Sequence, residues 1–232
     1  MKIFSSDTRS VILNHEKAYK FFNSRSECEE EVKRLKKSPI SEVYDGISNY
    51  KMKIVKILEV KEFFYSMDQA KGKTLGINHN DKDFYLAGRW LRCFHDLSIK
   101  NDSKVFLFGD FVVSHLFLDH ENKIICAIDP GTNFGNSGEI ETDISRFIVS
   151  LFYTKNFNLR KLSKIINSFF EGYGIKKINF TRLDNFIKYR ILRNFNKTNE
   201  LKTELKYHII ALIYLNIANF KYFFIKKKFK IF

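Results

Sequence analysis

Proline, cysteine and glycine are all scarce, at 2, 3 and 10 of 232 residues. So little proline and glycine excludes a collagen-like chain, and a 44% hydrophobic content excludes a disordered one. The three cysteines, Cys28, Cys93 and Cys126, are odd in number, widely spaced and outside any CxxC or Cys/His ligand pattern. Neither a disulfide framework nor structural zinc is supported, and a reducing cytosol is the expected compartment. The first residues, MKIFSSDTRSV, lack the long apolar region of a signal peptide. The longest uncharged apolar stretch, His208 to Phe220, is too short to span a bilayer and reads as a buried helix.

Basic residues and aromatics are plentiful: 40 Lys and Arg against 26 Asp and Glu, 25 Phe and 11 Tyr, for a formal charge of +14. Such an excess suits a polyanionic partner, but abundant Lys, Asn, Ile and Phe are equally what an AT-rich genome encodes. Its distribution says more. Residues 1–68 hold 13 basic and 11 acidic groups, residues 69–150 hold 9 and 11, and residues 151–232 hold 18 and 4, so the whole excess lies in the last third.

The length suits one domain or two tightly packed lobes. Residues 1–68 read as three strands, a helix and two strands. Ser10–Asn14 and Ala18–Phe22 are β-type runs around a turn at His15, and Lys51–Val60 and Phe63–Met67 are the later strands. Ser24–Lys37 is predicted helical, with a Ser24/Glu27 capping box, an apolar stripe of Cys28, Val32 and Leu35, and Pro39 as its stop. A polar linker, QAKGKT, follows Asp68. Beyond it a central helix is predicted over Asp83–Leu97, then short strands over Val105–Phe108, Val112–Leu118 and Lys123–Ile128. A glycine-rich stretch, Pro130 to Gly138, precedes a helix that Thr142 could cap, and the remainder to Phe232 reads as three or four helices. The expected class is α+β, a small β-rich lobe over residues 1–68 and a larger helical lobe over residues 69–232.

Two aspartates end short apolar strands, Asp110 after Phe108-Gly109 and Asp129 before Pro130-Gly131. Strands joined by a tight turn can bring both carboxylates to one end of a hairpin, where such a pair can hold a divalent cation and accept a proton. Aspartates that merely terminate strands would look the same.

The ordered set FGDFVVSHLFLD, CAIDPG and ETDISRF resembles the catalytic segment of the aminoglycoside-phosphotransferase branch of the protein-kinase-like fold. AGRWLRCFHDL resembles the helix that precedes it, and YSMDQAKGKTL the hinge into the large lobe. The resemblance covers about the first 150 residues. It implies ATP and Mg2+ as cofactors and direct transfer of the γ-phosphate to a hydroxyl. By the same resemblance Asp110 is the catalytic base and Asp129 the metal ligand. Lys20 pairs with the α/β-phosphates and with Glu31, with Glu27 as the reserve. Ser66, Met67 and Asp68 form the hinge that meets the adenine, and Asp143 braces the catalytic loop through backbone N–H groups, although a helix-start aspartate would sit there too.

Three positions depart from the pattern. Phe108 stands where the family has histidine, which removes a hydrogen-bond donor behind the loop. His115 stands where it has a metal-binding asparagine, and imidazole suits hard Mg2+ less well than oxygen does. The loop SSDTR between the first strands has no glycine. These departures favour a nucleotide-binding or scaffold pseudokinase as the rival reading. A basic nucleic-acid-binding protein is a weaker rival, since no RNA- or DNA-binding motif is present and the Asp110/Asp129 pattern would go unexplained. His95 is expected to be structural and Cys126 a small core residue.

In kinase-like small-molecule transferases the last third builds the acceptor pocket. Its charge therefore suits a phosphorylated or carboxylated acceptor, or one presented on an anionic membrane. The closing NFKYFFIKKKFKIF mixes Phe and Ile with Lys226, Lys227, Lys228 and Lys230, as an interfacial segment does and as a final amphipathic helix also would. Bacterial kinases of lipopolysaccharide core sugars share this compact plan at the inner membrane face. A sugar, glycolipid or similar small acceptor is the expected substrate.

Overall fold

The computed structural model describes residues 2–5, 9–14, 16–76, 78–99, 104–153 and 159–200. The turn residue His15, most of the SSDTR loop, the stretch 208–220 and the basic closing segment lie outside the described residues. The chain opens with β1 (Lys2–Ser5), β2 (Arg9–Asn14) and β3 (Lys17–Phe22), then α1 (Arg25–Leu35). The Ser24 hydroxyl accepts the Glu27 N–H at 3.3 Å and starts α1, whose buried face carries Cys28, Glu31, Val32 and Leu35. Four strands follow rather than two: β4 (Glu42–Asp45), β5 (Tyr50–Ile54), β6 (Ile57–Val60) and β7 (Phe64–Asp68). The predicted run Lys51–Val60 is divided at Val55: β5 pairs with β11 up to the bond from the Val55 N–H to the Ala127 carbonyl, and β6 pairs with β7 in the other sheet.

After β8 (Lys73–Thr74) comes α2 (Asp81–Leu97), capped by the Asn80 side chain, which accepts the Asp83 N–H. Next are β9 (Val105–Phe106), β10 (Leu116–Asp119), β11 (Ile124–Ala127) and β12 (Ser137–Gly138). The helices α3 (Ile140–Phe152), α4 (Leu159–Tyr173) and α5 (Phe180–Glu200) complete the described chain. Residues 107–115, expected to be largely strand, form a loop ending in a 3-10 turn at Val113–His115. Thr142 does not cap: α3 already begins at Ile140, and the Thr142 carbonyl accepts from Ser145 and Arg190. Among the described residues no helix is long and apolar enough to cross a membrane.

Two five-stranded sheets result. The first, in the order β1-β2-β3-β7-β6, is antiparallel throughout. The second runs β4-β5-β11-β10-β8, with β5 parallel to β11 and the other pairs antiparallel. The hairpin β4–β5, drawn from the first 68 residues, is thus built into the sheet of the helical lobe. Arg89 of α2 fixes it by a two-pronged bond to the buried Asp45, Nε at 3.0 Å and Nη2 at 2.6 Å.

The core of the second lobe is aromatic. Trp90 stacks between Phe94 and Phe111, and Phe108 meets all three edge-on at 5.4 to 5.8 Å. Helices α2 and α4 meet backbone to backbone: a Cβ on Gly88 would lie 2.2 Å from the Phe169 carbonyl oxygen, and one on Gly172 would lie 2.0 Å from that of Tyr85. That approach leaves no room for any residue but glycine at either position.

Candidate active site

Strand alternation places Ala18, Lys20 and Phe22 on the buried face of β3 beneath α1. Lys20 is 4% exposed and Glu31 is 2% exposed, so neither could be charged there alone. Lys20 Nζ lies 2.8 Å from Glu31 Oε1 and 2.5 Å from Asp129 Oδ1. Tyr65 donates its hydroxyl to Glu31 at 2.7 Å, and Arg9 approaches the other carboxylate oxygen at 3.2 Å. Glu27, the reserve partner, lies one turn earlier on the exposed face.

Asp110 sits on the loop after β9. Gly109 turns it with a left-handed φ of +84°, and a Cβ on Gly131 would lie 2.7 Å from the Gly109 carbonyl carbon and 2.8 Å from the Asp110 nitrogen. The fully buried Asp143 carboxylate accepts the N–H of Phe108 at 2.6 Å and of Gly109 at 2.9 Å. His95 Nε2 lies 3.2 Å from the same carboxylate and must donate to it, which leaves Nδ1 as the acceptor for the Tyr173 hydroxyl at 2.9 Å. His95 is 1% exposed and supports this scaffold from behind. Phe108 contributes its backbone to the loop and its ring to the core.

Asp129 follows β11 with φ +51°, an uncommon conformation for a side-chain-bearing residue. Burial would raise its carboxyl, but the Lys20 ammonium, helped by His115 and Arg9, outweighs this and holds it below the ordinary range. His115 Nδ1 is 3.0 Å from the Asp110 carbonyl and so donates to it. Its Nε2 lies 3.9 Å from Asp129 Oδ2, and its Nδ1 is 3.9 Å from Asp110 Oδ2. Lys20, Glu31, Asp110, His115 and Asp129 are therefore one connected constellation. No group of three or more His, Cys, Asp or Glu among the described residues could cage a metal. A single carboxylate beside an open cleft nevertheless fits Mg2+, which takes its remaining ligands from water and substrate phosphates.

Ser66, Met67 and Asp68 end β7, which lies between β3 and the edge strand β6 of the first sheet. Met67 lies opposite Ala18, and the Ser66 hydroxyl is buried without a hydrogen-bond partner. Asp68 takes the Lys56 N–H on its carboxylate, and the segment that leaves the sheet is Gln69 to Gly72.

Sequence reasoning placed positive charge on the acceptor side but named none of the arginines that form the basic wall of the site. A cavity of about 520 Å3 is lined by Asp110, Asp129 and Gly131 on one side, by Arg146 of α3 and Tyr153 just after it, and by Arg190 and Arg193 of α5. Arg146 Nε donates to Asp110 Oδ1. The available signal was helical spacing, since Arg146 follows Asp143 by three residues on one face of α3.

No family model matches the sequence, and no curated protein matches it in sequence. Solved structures do match in shape. The amicoumacin kinase hAmiN in complex with AMP-PNP, Ca2+ and Ami superposes with a TM-score of 0.60 at 10% identity, over 93% of this chain and 86% of that one. The ADP-bound aminoglycoside phosphotransferase APH(2'')-Ib gives 0.57 at 11% identity, over 92% and 91%. The complex of APH(2'')-IIa with streptomycin and ATP gives 0.56 at 11% identity, over 89% and 92%. The chain has the two-lobed, kinase-like α+β fold of the aminoglycoside phosphotransferases.

Proposed function

We propose that the protein is an ATP-dependent phosphotransferase that moves the γ-phosphate to a hydroxyl of a sugar, glycolipid or similar small acceptor. The observation that carries this reading is the meeting of Lys20, Glu31 and Asp129 with Asp110 at one cleft, held from four separate stretches of chain. Residues 1–68, apart from the β4–β5 hairpin, supply the nucleotide side, and residues 69–232 supply the catalytic loop and the acceptor side.

In this reading the adenine lies against Ala18 and Met67, near the end of β7 and Gln69. Lys20, oriented by Glu31, neutralises the phosphates. Asp129 and His115 would hold Mg2+, which would supply positive charge to offset that of the phosphates. Asp110 orients the acceptor hydroxyl and takes its proton as the oxygen attacks phosphorus and the bond to ADP breaks. Arg146 fixes the Asp110 carboxylate, and Asp143 fixes the loop. Catalysis is then mostly positioning and charge neutralisation, with no phosphoenzyme. Residues 201–232 supply the composition for peripheral contact with an anionic membrane, which liposome cosedimentation with and without residues 219–232 tests.

The test of the core reading is a thermal-shift titration with ATP and Mg2+, followed by phosphoryl transfer to candidate sugars by wild type, Asp110→Ala and Asp129→Ala. Stabilisation by nucleotide and loss of transfer in both variants is expected; full activity in both would refute the roles. The scaffold reading is favoured by His115 at the second metal position, and predicts nucleotide binding with no transfer to any acceptor.

A further inference from the structure

The acceptor half of the cavity carries more positive charge than its own carboxylates balance. Glu31 and Asp129 share Lys20, Arg9 adds to Glu31, and Asp110 is paired with Arg146. Arg190 and Arg193, one turn apart on α5, line the same cavity, and neither has a carboxylate within ion-pair distance among the described residues. Arg190 is also pinned: its Nε donates to the Ser145 hydroxyl at 2.9 Å and its Nη2 to the Thr142 carbonyl at 3.0 Å. These two neutral contacts hold the guanidinium against α3 without neutralising it. Burial, and then the neighbouring Arg146 charge, press its ionisation below the ordinary arginine range.

Arg190 is part-buried, and the Asp143 and Asp110 carboxylates act on it only from beyond ion-pair distance, so its charge costs free energy in the unliganded protein that an arriving anion recovers, while Arg193 is exposed and adds long-range attraction. A guanidinium fork matches phosphate or carboxylate geometry in two-pronged fashion. We infer that Arg190 and Arg193 form an anion subsite for the acceptor, so that the hydroxyl presented to Asp110 belongs to a sugar already bearing a phosphate or carboxylate group. This deepens the phosphotransfer reading and rests on it. It also separates this chain from the aminoglycoside-bound structures it resembles in shape, because polycationic acceptors such as kanamycin or streptomycin would be repelled by this wall.

The experiment is isothermal titration calorimetry on the protein saturated with Mg2+ and AMP-PNP, which fills the nucleotide's own phosphate site. The probes are inorganic phosphate, glucose 6-phosphate, glucuronate, glucose and kanamycin. The anionic probes are expected to bind at least about tenfold tighter than glucose and kanamycin, a preference that shrinks with added salt. The ratio of glucose 6-phosphate to glucuronate tells phosphate from carboxylate. Arg193→Gln is expected to remove most of the preference, while Lys188→Gln, on the same helix but paired with Asp184, is expected to keep it. Arg190→Lys retains charge but loses the fork, and is expected to weaken phosphate probes without unfolding the helix. Equal binding of glucose and glucose 6-phosphate, absence of anion binding, or a preference untouched by both arginine variants would overturn the subsite. Failure of AMP-PNP to bind would sink the phosphotransfer reading instead, and the same probes on the free protein would still report on the arginines.

Discussion

The Lys20 ammonium reaches Asp129 across 109 residues of chain, 2.5 Å from its Oδ1, while holding Glu31 at 2.8 Å on its other side. One cation thus sits where the first sheet, α1 and the end of β11 converge, and its removal acts on both lobes. In Lys20→Met, the affinity for Mg-ATP should fall roughly ten- to a hundredfold, the loss of a charge-assisted bond. Calorimetric titration of ATP into wild type and variant checks this, and an unchanged Kd would remove Lys20 from the nucleotide site.

Asp110→Asn keeps the shape of the side chain and an acceptor oxygen for Arg146, but cannot take a proton. Transfer to an active acceptor should slow by roughly 10²–10⁴ while nucleotide affinity stays within about twofold. A radiolabelled ATP transfer assay beside the binding measurement separates the two effects. A variant that retains full turnover would show that the proton goes elsewhere.

Gly131→Ala tests the tight packing behind the catalytic loop. The added methyl meets backbone atoms of Gly109 and Asp110 at 2.7 and 2.8 Å, which cannot rotate away as a flexible side chain would. The loop must shift, with an expected loss of transfer of about a hundredfold for a displacement on the order of 1 Å. Activity and Tm measured together show whether the damage is local.

Asp143→Ala removes the acceptor for two backbone N–H groups and for His95. Each buried donor left unpaired costs about 1–3 kcal/mol, so both stability and activity should drop. Urea denaturation gives the first and the transfer assay the second.

Arg89→Ala addresses the strut between the β4–β5 hairpin and α2. Burial pushes the Asp45 carboxyl up, but Arg89 and the Ser48 hydroxyl pull harder, and the net effect is a lowered pKa. A carboxyl depressed by folding stabilises fully above its unfolded value near 3.9, and that contribution is lost as pH falls through the lower folded value. At neutral pH the variant should lose about 3–5 kcal/mol, since an unpaired buried carboxylate remains. The gap between wild type and variant should narrow as pH falls below about 4 and close only below the depressed wild-type value. Denaturation curves at pH 3 and pH 7 test the narrowing.

The legible parts of this molecule were those written in local pattern. The Ser24 cap and the Cys28, Val32, Leu35 stripe announced α1, and Phe84, Trp90, Leu91 and Phe94 at helical spacing announced α2. Asp110, Asp129 and Asp143 stood out because each carboxylate follows or opens an apolar element. The switch of sheets at Val55 was not legible, because the residues of β5 and β6 are alike in β character and only distant partners, β11 for one and β7 for the other, set which sheet each joins. The basic wall was hidden for a related reason. Arg146, Arg190 and Arg193 look like ordinary polar-face residues of α3 and α5, and their significance comes from the packing of one helix against the other.

The chain passes between the two sheets three times: from α1 into β4, from β5 into β6, and from β7 into β8. A body joined to another by one strap can swing freely, whereas three separate straps leave little room for relative rotation. The spacing between Lys20 and the two aspartates is therefore tied at three points along the chain, and a change in the length of any one strap would be felt at the cleft.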